Sequence, residues 1–366
     1  MLPFFSYYYE KKTFVFFSLF ALLLFVPCLP ARKLIDPSTE LTADVRTNSN
    51  ATWHSFTRFL DAEKGSQLRG MSELKKYFQR FGYLSIPNQN LTDSFDEDLE
   101  SAVLQYQKNL GLPATGRLDS DTMKVITSPR CGVSDEKSRA AQKLHAKIHY
   151  AYFDGEPRWD RSSPMILTYA FSPDHTIDYI SSADIRAVFE RSFARWSSVI
   201  PVNFTEVDDY YSANIKIGWY RGDHGDGQPF DGVLGVLAHA FSPENGRLHL
   251  DGAEAWAVDF KEQKSKVAVD LESVATHEIG HILGLAHSAV KDAVMYPSLS
   301  PRTKKVDLRV DDVEGIQALY GSNPNFKYSS LYESDISSSR SIYMERRRFS
   351  KWTTVFLVMV VFIFSL

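Results

Sequence analysis

The segment 277–287 contains residue types that bind a metal ion and use it for chemistry. It reads His277-Glu278-Ile279-Gly280-His281-Ile282-Leu283-Gly284-Leu285-Ala286-His287. Residues four apart on a helix project from the same face, so the imidazoles of His277 and His281 can bind one zinc ion. Glu278 lies beside them, where its carboxylate can take a proton from a water whose pKa zinc lowers towards neutrality. The spacing therefore predicts zinc-dependent chemistry with Glu278 as the catalytic base.

The residues after His281 distinguish this segment from a charged helix face with two unrelated histidines. Gly284 can adopt a positive φ and turn the chain at the helix end, which returns His287 as a third ligand and leaves the fourth position to water. Downstream, Ala293-Val294-Met295-Tyr296-Pro297 matches the metzincin arrangement, in which a turn at Met295 lies beneath the metal. A catalytic zinc site is therefore favoured over a chance match.

With these motifs, residues 54–321 resemble the matrix metalloproteinases. The residue after the third histidine is Ser288, as in that branch, whereas astacins and adamalysins usually place an acid there. The part after Gly321 is too short for a hemopexin propeller, so the resemblance is to the short plant forms in particular. It implies an endopeptidase that hydrolyses internal bonds of extracellular proteins, with the peptide substrate antiparallel to an edge strand at 236–238.

A second motif of this family precedes the catalytic segment. It reads Pro129-Arg130-Cys131-Gly132-Val133-Ser134-Asp135 and is similar to the cysteine switch of the zymogens. The resemblance implies a latent precursor in which the Cys131 thiolate takes the position that water needs on the catalytic zinc. It also implies that Arg130 pairs with Asp135 to hold the loop. Ser134 replaces the usual proline, which predicts a looser loop; the alternative for Cys131 is a buried structural cysteine.

Further metal-binding residues lie between 224 and 254. Four of them can form a closed tetrahedral site, which the resemblance assigns to a structural zinc: His224, Asp226, His239 and His249. The resemblance also implies at least one calcium ion, held by three carboxylates and three backbone carbonyls: Asp231, Gly232, Leu234, Val236, Asp251 and Glu254. Together these residues supply about the six oxygens that calcium requires.

The resemblance also assigns residues of the primary pocket and of the activated enzyme. We expect the pocket behind His277 to take an apolar side chain, because Ser273 is small where the family usually controls pocket depth. Leu299 replaces a common tyrosine in the pocket wall. Asp311 resembles the position that binds the new N-terminal ammonium after activation.

The elements that must position these residues form an α+β protein. Residues 54–127 have helical periodicity, which predicts a small all-helical domain. The family resemblance implies that this domain is peptidoglycan-binding-like and belongs to a propeptide at 32–146. The catalytic domain at 147–321 follows, and the metzincin resemblance implies a mixed, mostly parallel sheet with three helices. Its strands are predicted at 165–171, 202–207, 213–219, 234–241 and 253–259, and its helices at 181–200, 271–286 and 311–320.

The N-terminus has the pattern of a secretory signal peptide, predicted at 1–31. Two lysines precede the apolar run 14–26, and Ala31 offers a small residue for cleavage. A transmembrane anchor is the alternative, but the run is shorter than the ~20 apolar residues that a spanning helix needs. Cleavage would remove Cys28 and leave Cys131 as the only thiol of the exported chain.

The C-terminus has the pattern of a second targeting signal. Residues 352–366 are almost wholly apolar, and as a helix they would reach about 22 Å, less than the ~30 Å of a bilayer core. A small-residue site at Ser337 and the polar spacer 340–351 fit a glycosylphosphatidylinositol signal, removed as 340–366. A short spanning helix is the alternative. Residues 322–339 are predicted to be a tether.

Composition and short motifs agree with an exported protein. The chain has 366 residues and a formal net charge of −4, so no broad basic field is present to attract nucleic acid. Sequons at Asn50, Asn90 and Asn203 predict glycosylation, and the two addresses place the protein on the extracellular face of the plasma membrane through a lipid anchor. Glu278 argues against a metal-bearing module without activity, and Cys131 argues against an adhesive membrane protein.

Overall fold

The computed structural model describes residues 53–87, 91–135, 150–329 and 331. The predicted signal peptide and anchor signal lie outside these residues, as do Asn50, Asn90 and Ser337. Across the described ranges, no helix has the length and apolar character needed to cross a bilayer.

The N-terminal domain is all-helical, as predicted. It contains a 3-10 helix, His54–Phe59, and three α-helices: α1 Met71–Arg80, α2 Glu97–Asn109 and α3 Ser120–Ile126. Side chains cap two of them, because Asp96 accepts a hydrogen bond from Leu99 N and Asp119 accepts one from Thr122 N. Edge-to-face aromatic rings fill the core around Tyr77, which lies beside Cys131's neighbour Arg130 at the end of the domain.

The catalytic domain is built on a five-stranded sheet in the order β2-β1-β3-β5-β4. The strands are β1 Met165–Phe171, β2 Val202–Glu206, β3 Ile215–Tyr220, β4 Ala238–Ala240 and β5 Arg247–Asp251. Only the edge strand β4 is antiparallel to its neighbour, so the predicted mixed, mostly parallel sheet is confirmed. A separate parallel pair is formed by β6 Trp256–Ala257 and β7 Val269–Asp270.

Three helices accompany this sheet, as predicted: α4 Ser182–Val199, α5 Leu271–Ile282 and α6 Val310–Tyr320. The amphipathic face of α4 packs on α5, where the indole Nε1 of Trp196 donates to Thr276 O at 2.9 Å. Trp196 and Ile279 are fully buried at this contact. Every residue of α5 is buried, so the helix that carries the predicted catalytic residues is held rigidly in the core.

Several predicted element boundaries were wrong. Helix α5 ends at Ile282 rather than at 286, because Gly284 turns the chain with a φ of 107°. The predicted strand 234–241 shortens to β4, since Leu234 adopts a φ of 62° in an irregular loop. The predicted strand 253–259 shortens to β6. Strands β5 and β7 were not predicted.

Candidate metal centre and the segment that covers it

Three imidazoles converge at the end of α5. His277 and His281 lie one turn apart on the helix, and their ring centroids are 4.8 Å apart. The turn at Gly284 returns the chain so that His287 Nε2 lies 3.1 Å from His281 Nε2. A side chain at Gly284 would place its Cβ 2.3 Å from Pro157 O, so this turn requires glycine for space as well as for its φ.

Each imidazole is oriented by a bond from its other ring nitrogen. Nδ1 lies 2.7 Å from Val294 O in His277 and 2.7 Å from Leu285 O in His281. A carbonyl oxygen can only accept, so these Nδ1 atoms carry the proton and leave Nε2 with its lone pair facing the centre. Burial is the main cause that lowers the pKa of His277 and of His281 well below the ordinary value, and the neighbouring histidines lower it further. Both rings are therefore neutral, which is the form that binds metals.

Cys131 completes a four-ligand set from the other domain. Its Sγ lies 3.4 Å from His281 Nε2, and one ligand atom from each of Cys131, His277, His281 and His287 lies within 4.8 Å of the others. His277 Nε2 is buried without a hydrogen-bond partner among the described residues. Burial and the charge of Glu278 raise the pKa of the Cys131 thiol, so a bound cation is what would hold it as a thiolate. Three imidazoles and one sulfur fit tetrahedral zinc.

Glu278 lies beside this set with its carboxylate buried. Neither carboxylate oxygen makes a hydrogen bond with the residues that the structure describes. Burial raises the pKa of Glu278 to about 8, while the adjacent Cys131 opposes that rise. Such a carboxylate can take up a proton and release it again near neutral pH, as a general base requires.

Met295 packs directly against the helix that carries the histidines. A Cβ on Gly280 would lie 2.3 Å from Met295 Sδ and 3.0 Å from Trp196 Cζ2. The sequence motif predicted Met295 beneath the metal site, but it did not identify the need for glycine at 280. That need arises from the contact of the methionine sulfur with the helix backbone.

The segment 129–132 occupies the cleft in front of these residues as an extra strand. On one side it pairs in the parallel direction with 235–238, and on the other it pairs in the antiparallel direction with 297–299. Five backbone hydrogen bonds of 2.8–3.0 Å hold it: Arg130 N to Gly235 O, Leu237 N to Arg130 O, Gly132 N to Ala238 O, Cys131 N to Pro297 O and Leu299 N to Pro129 O. The edge at 236–238, along which a peptide substrate is predicted to bind, is thus covered by segment 129–132 of the chain itself.

A buried ion pair fixes this segment. Arg130 Nη2 lies 2.6 Å from Asp135 Oδ1, and the guanidinium stacks 3.7 Å from the centroid of the Phe81 ring. Asp135 also accepts from the hydroxyl of Tyr83 at 2.8 Å and lies 2.6 Å from His287 Nδ1. Burial alone would raise the pKa of Asp135, but Arg130 and His287 lower it overall. The pairing of Arg130 with Asp135 was expected, whereas the links to Tyr83 and His287 were not.

The second predicted metal site is also assembled. His239 on β4 pairs directly with His249 on β5, and Asp226 Oδ2 lies 2.7 Å from His239 Nε2 and 2.9 Å from His249 Nδ1. His224 Nε2 lies 2.8 Å from the same oxygen. Burial lowers the pKa of His239 to about 4 and that of His249 to about 3, so both are neutral. Three imidazoles and one carboxylate fit a structural zinc, in which four protein ligands leave no position for water.

The predicted calcium residues surround one loop. Backbone N–H groups of the loop donate to the three carboxylates: Val236 N to Asp231 Oδ1 at 2.7 Å, Gly232 N to Asp251 Oδ2 at 3.1 Å and Leu234 N to Glu254 Oε1 at 2.7 Å. Burial raises the pKa of all three carboxyl groups, that of Asp251 to about 6. Glu254 Oε2 is buried without a partner in the described chain. Three buried carboxylates close together favour a bound cation. That this cation is calcium remains a prediction.

Residues assigned to the pocket and to the activated form lie close to α5. Ser273 and Leu299 both line a small pocket beside Glu278. Asp311 Oδ2 accepts from the hydroxyl of Ser288 at 2.6 Å. The role of Asp311 after activation stays a prediction, because these residues belong to the covered form of the site.

Comparison with known proteins agrees with this geometry. The chain matches the matrixin family over residues 158–321 and the putative peptidoglycan binding domain over residues 69–126. The chain belongs to the matrixin family of zinc metalloendopeptidases.

The similar proteins include plant enzymes. Metalloendoproteinase 1-MMP of Arabidopsis thaliana is 55% identical over 326 residues, which are 87% of this chain and 88% of that protein. Metalloendoproteinase 4-MMP of the same plant is 59% identical over 73% of this chain and 77% of its own length. Metalloendoproteinase 1 of Glycine max is 44% identical over 79% of this chain and 92% of its own length. The family implies both zinc and calcium.

Proposed function

We propose that this chain is the latent precursor of an extracellular, membrane-anchored endopeptidase, blocked by Cys131. The observation that carries the proposal is the position of Cys131 Sγ among the ligand atoms of three histidines, within 4.8 Å. The segment 129–132 also uses the backbone groups that a peptide substrate would need. Removal of this segment would uncover the cleft and leave the fourth metal position to water.

The residues of the uncovered site divide the work of peptide hydrolysis. A zinc ion held by His277, His281 and His287 would supply a water of lowered pKa and polarise the scissile carbonyl. Glu278 accepts the proton of the attacking water and returns it to the leaving amine. The cleft walls at 235–238 and 297–299 orient the main chain of the substrate through the groups that now bind 129–132.

Export, glycosylation and lipid anchoring complete the proposal. The signal at 1–31, the attachment site at Ser337 and the sequons support them. Asn203 lies exposed on β2, the outer strand of the sheet, where a glycan has space. Expression of the full chain in plant cells, followed by release from membranes with a phospholipase that cleaves glycosylphosphatidylinositol, tests the anchor; substitution of Ser337 to Ser339 by bulky residues should abolish release.

Latency is tested with the purified precursor. The sequence between Asp135 and the catalytic domain contains Lys137, Arg139 and Lys143, so limited trypsin treatment can separate the domains. The treated protein should hydrolyse casein in a reaction that a zinc chelator stops, whereas the untreated protein should not. Glu278→Ala should remain inactive after the same cleavage, while Cys131→Ser should hydrolyse casein without cleavage. Equal activity of the untreated wild type and Cys131→Ser would refute latency by Cys131.

A further inference from the structure

The three histidines of the candidate metal centre differ in the group that binds their second ring nitrogen. In His277 and His281, Nδ1 lies 2.7 Å from a backbone carbonyl oxygen of the catalytic domain. In His287, Nδ1 lies 2.6 Å from Asp135 Oδ1, a side-chain carboxylate that follows segment 129–132. Loss of the propeptide would therefore remove this partner of His287 and leave the partners of the other two histidines in place.

The N-terminal domain holds the Asp135 carboxylate in a fixed position. Asp135 N donates to Phe81 O at 3.1 Å, and the Tyr83 hydroxyl donates to Asp135 Oδ2 at 2.8 Å. The other oxygen, Oδ1, accepts from Arg130 Nη2 at 2.6 Å and faces His287. The side chains of Asp135 and His287 are 1% and 3% exposed, so water does not compete for this contact.

A carboxylate in this position changes the imidazole as a metal ligand. An ionised carboxylate can only accept, so Nδ1 of His287 carries the proton and Nε2 keeps its lone pair. That Nε2 faces the other ligands, 3.1 Å from His281 Nε2. A carboxylate partner also makes the ring a more basic ligand, and its negative charge makes the hydrogen bond stronger than one to a neutral carbonyl.

We propose that Asp135 is a positioning residue for the catalytic zinc, through which the propeptide strengthens metal binding in the precursor; this inference rests on the proposed function. Cys131 supplies the fourth ligand, and Asp135 strengthens the third through His287. Cleavage removes both contributions together, so the active enzyme holds its zinc more weakly than the loss of one ligand alone would cause. The part of the chain that blocks catalysis thus also retains the ion that catalysis needs.

The test compares purified, uncleaved precursors in which cobalt(II) replaces zinc. A cobalt–thiolate bond has a charge-transfer absorption that cobalt bound by nitrogen and oxygen lacks, and the second metal site has no sulfur ligand. The absorption therefore reports metal bound with Cys131, and Cys131→Ser should abolish it. Titration against a competing chelator gives the metal affinity of this site. Far-UV circular dichroism and cobalt bound at the second site check the fold of each variant.

Two variants isolate the contact with His287: Arg130→Met and the double variant Arg130→Met/Asp135→Ala. The pair between Arg130 and Asp135 is broken in both, so they differ in the carboxylate beside His287. Removal of a buried acid that has lost its arginine should favour the covered form, so easier opening does not explain weaker metal binding in the double variant. Asp135→Asn, compared with Arg130→Met, repeats the comparison with an oxygen that still accepts but carries no charge.

The cobalt affinity of the Cys131 site should fall about 10- to 100-fold from Arg130→Met to the double variant, as is usual when a metal-binding histidine loses its outer partner. Asp135→Asn should show a smaller fall. Affinities of Arg130→Met and the double variant within about threefold of each other would overturn the role of Asp135 and leave latency by Cys131 intact. If the double variant does not fold, the same criterion applies to Asp135→Asn. Absence of the cobalt–thiolate absorption from the wild-type precursor would instead refute the proposed block by Cys131, and this inference with it.

Discussion

The buried pair between Arg130 and Asp135 makes a quantitative prediction about latency. Both side chains are essentially inaccessible in the covered form, at 0% and 1% exposure. Asp135→Asn keeps an oxygen that can accept from Tyr83 but removes the charge opposite the guanidinium. Breaking a buried pair in this way costs about 3 kcal/mol at the low end, because the remaining charge stays desolvated. Arg130 escapes this cost when segment 129–132 leaves the cleft.

The expected consequence is a ~150-fold increase in the fraction of precursor with an open cleft, from about 3 kcal/mol at 25 °C. Cys131 is 3% exposed when covered, so its rate of alkylation by N-ethylmaleimide reports opening. Mass spectrometry of the Cys131 peptide separates this thiol from Cys28. Casein hydrolysis by the uncleaved precursor should rise in parallel.

The matched control is Asp98→Asn, which removes an exposed carboxylate at the start of α2. If alkylation of Cys131 in Asp135→Asn stays within twofold of that control, the buried pair does not hold the segment and the reasoning fails. After trypsin treatment, all three proteins should have the same kcat/KM, since both substitutions precede the catalytic domain.

Three further predictions follow from other contacts. Gly132→Ala should also accelerate alkylation of Cys131, because the added Cβ would lie 2.6 Å from Val236 Cγ1. An unchanged alkylation rate would show that the Val236 side chain moves aside without cost. Gly280→Ala should lower the melting temperature and zinc content, since its Cβ would meet Met295 Sδ at 2.3 Å and overpacking costs about 1–3 kcal/mol; metal analysis and calorimetry measure both. Glu272 has its pKa raised by burial but lowered overall to about 2 by Arg191, Lys304 and Arg195. Its ion pairs therefore stabilise the fold fully at pH values above 4.5, the ordinary pKa of a glutamate. This stability is lost as the pH falls towards 2. In Glu272→Gln, melting temperature should depend less on pH between these values, and an identical pH profile would contradict the assignment.

The parts of the site that the sequence predicted are those with local geometry. The separation of His277 and His281 by one helical turn, and the return of the chain at Gly284, depend only on residues within the segment. The match to a known motif then placed Cys131 opposite them, although it lies 150 residues away from His281. Family resemblance supplied the distant partner that helical periodicity alone could not.

The missed features depend on contacts between distant parts of the chain. Strand β5 has only two apolar residues, Leu248 and Leu250, and two of its polar side chains are buried, His249 in the second metal site and Asp251 among the predicted calcium residues. The contact of Asp135 with His287 joins residues 152 positions apart, and the hydrogen bond from Lys305 N to Ser273 Oγ joins residues 32 positions apart. No local pattern marks these residues, because each acquires its role from a partner that the fold brings to it.

Two kinds of interaction hold the covering segment, and they have different consequences for the uncovered enzyme. The backbone groups of Gly235, Leu237 and Pro297 bind the segment now and would bind substrate later, so changes in these walls should alter latency and catalysis together. Arg130 and Asp135 belong to the covering part alone, and their pair contributes nothing to the cleft once that part has left. We therefore expect that substitutions at this pair adjust the strength of the proposed latency without a change in peptide binding. The parallel direction of the segment on 235–238, opposite to that expected for substrate, keeps the shared groups occupied by a chain that is not aligned for cleavage.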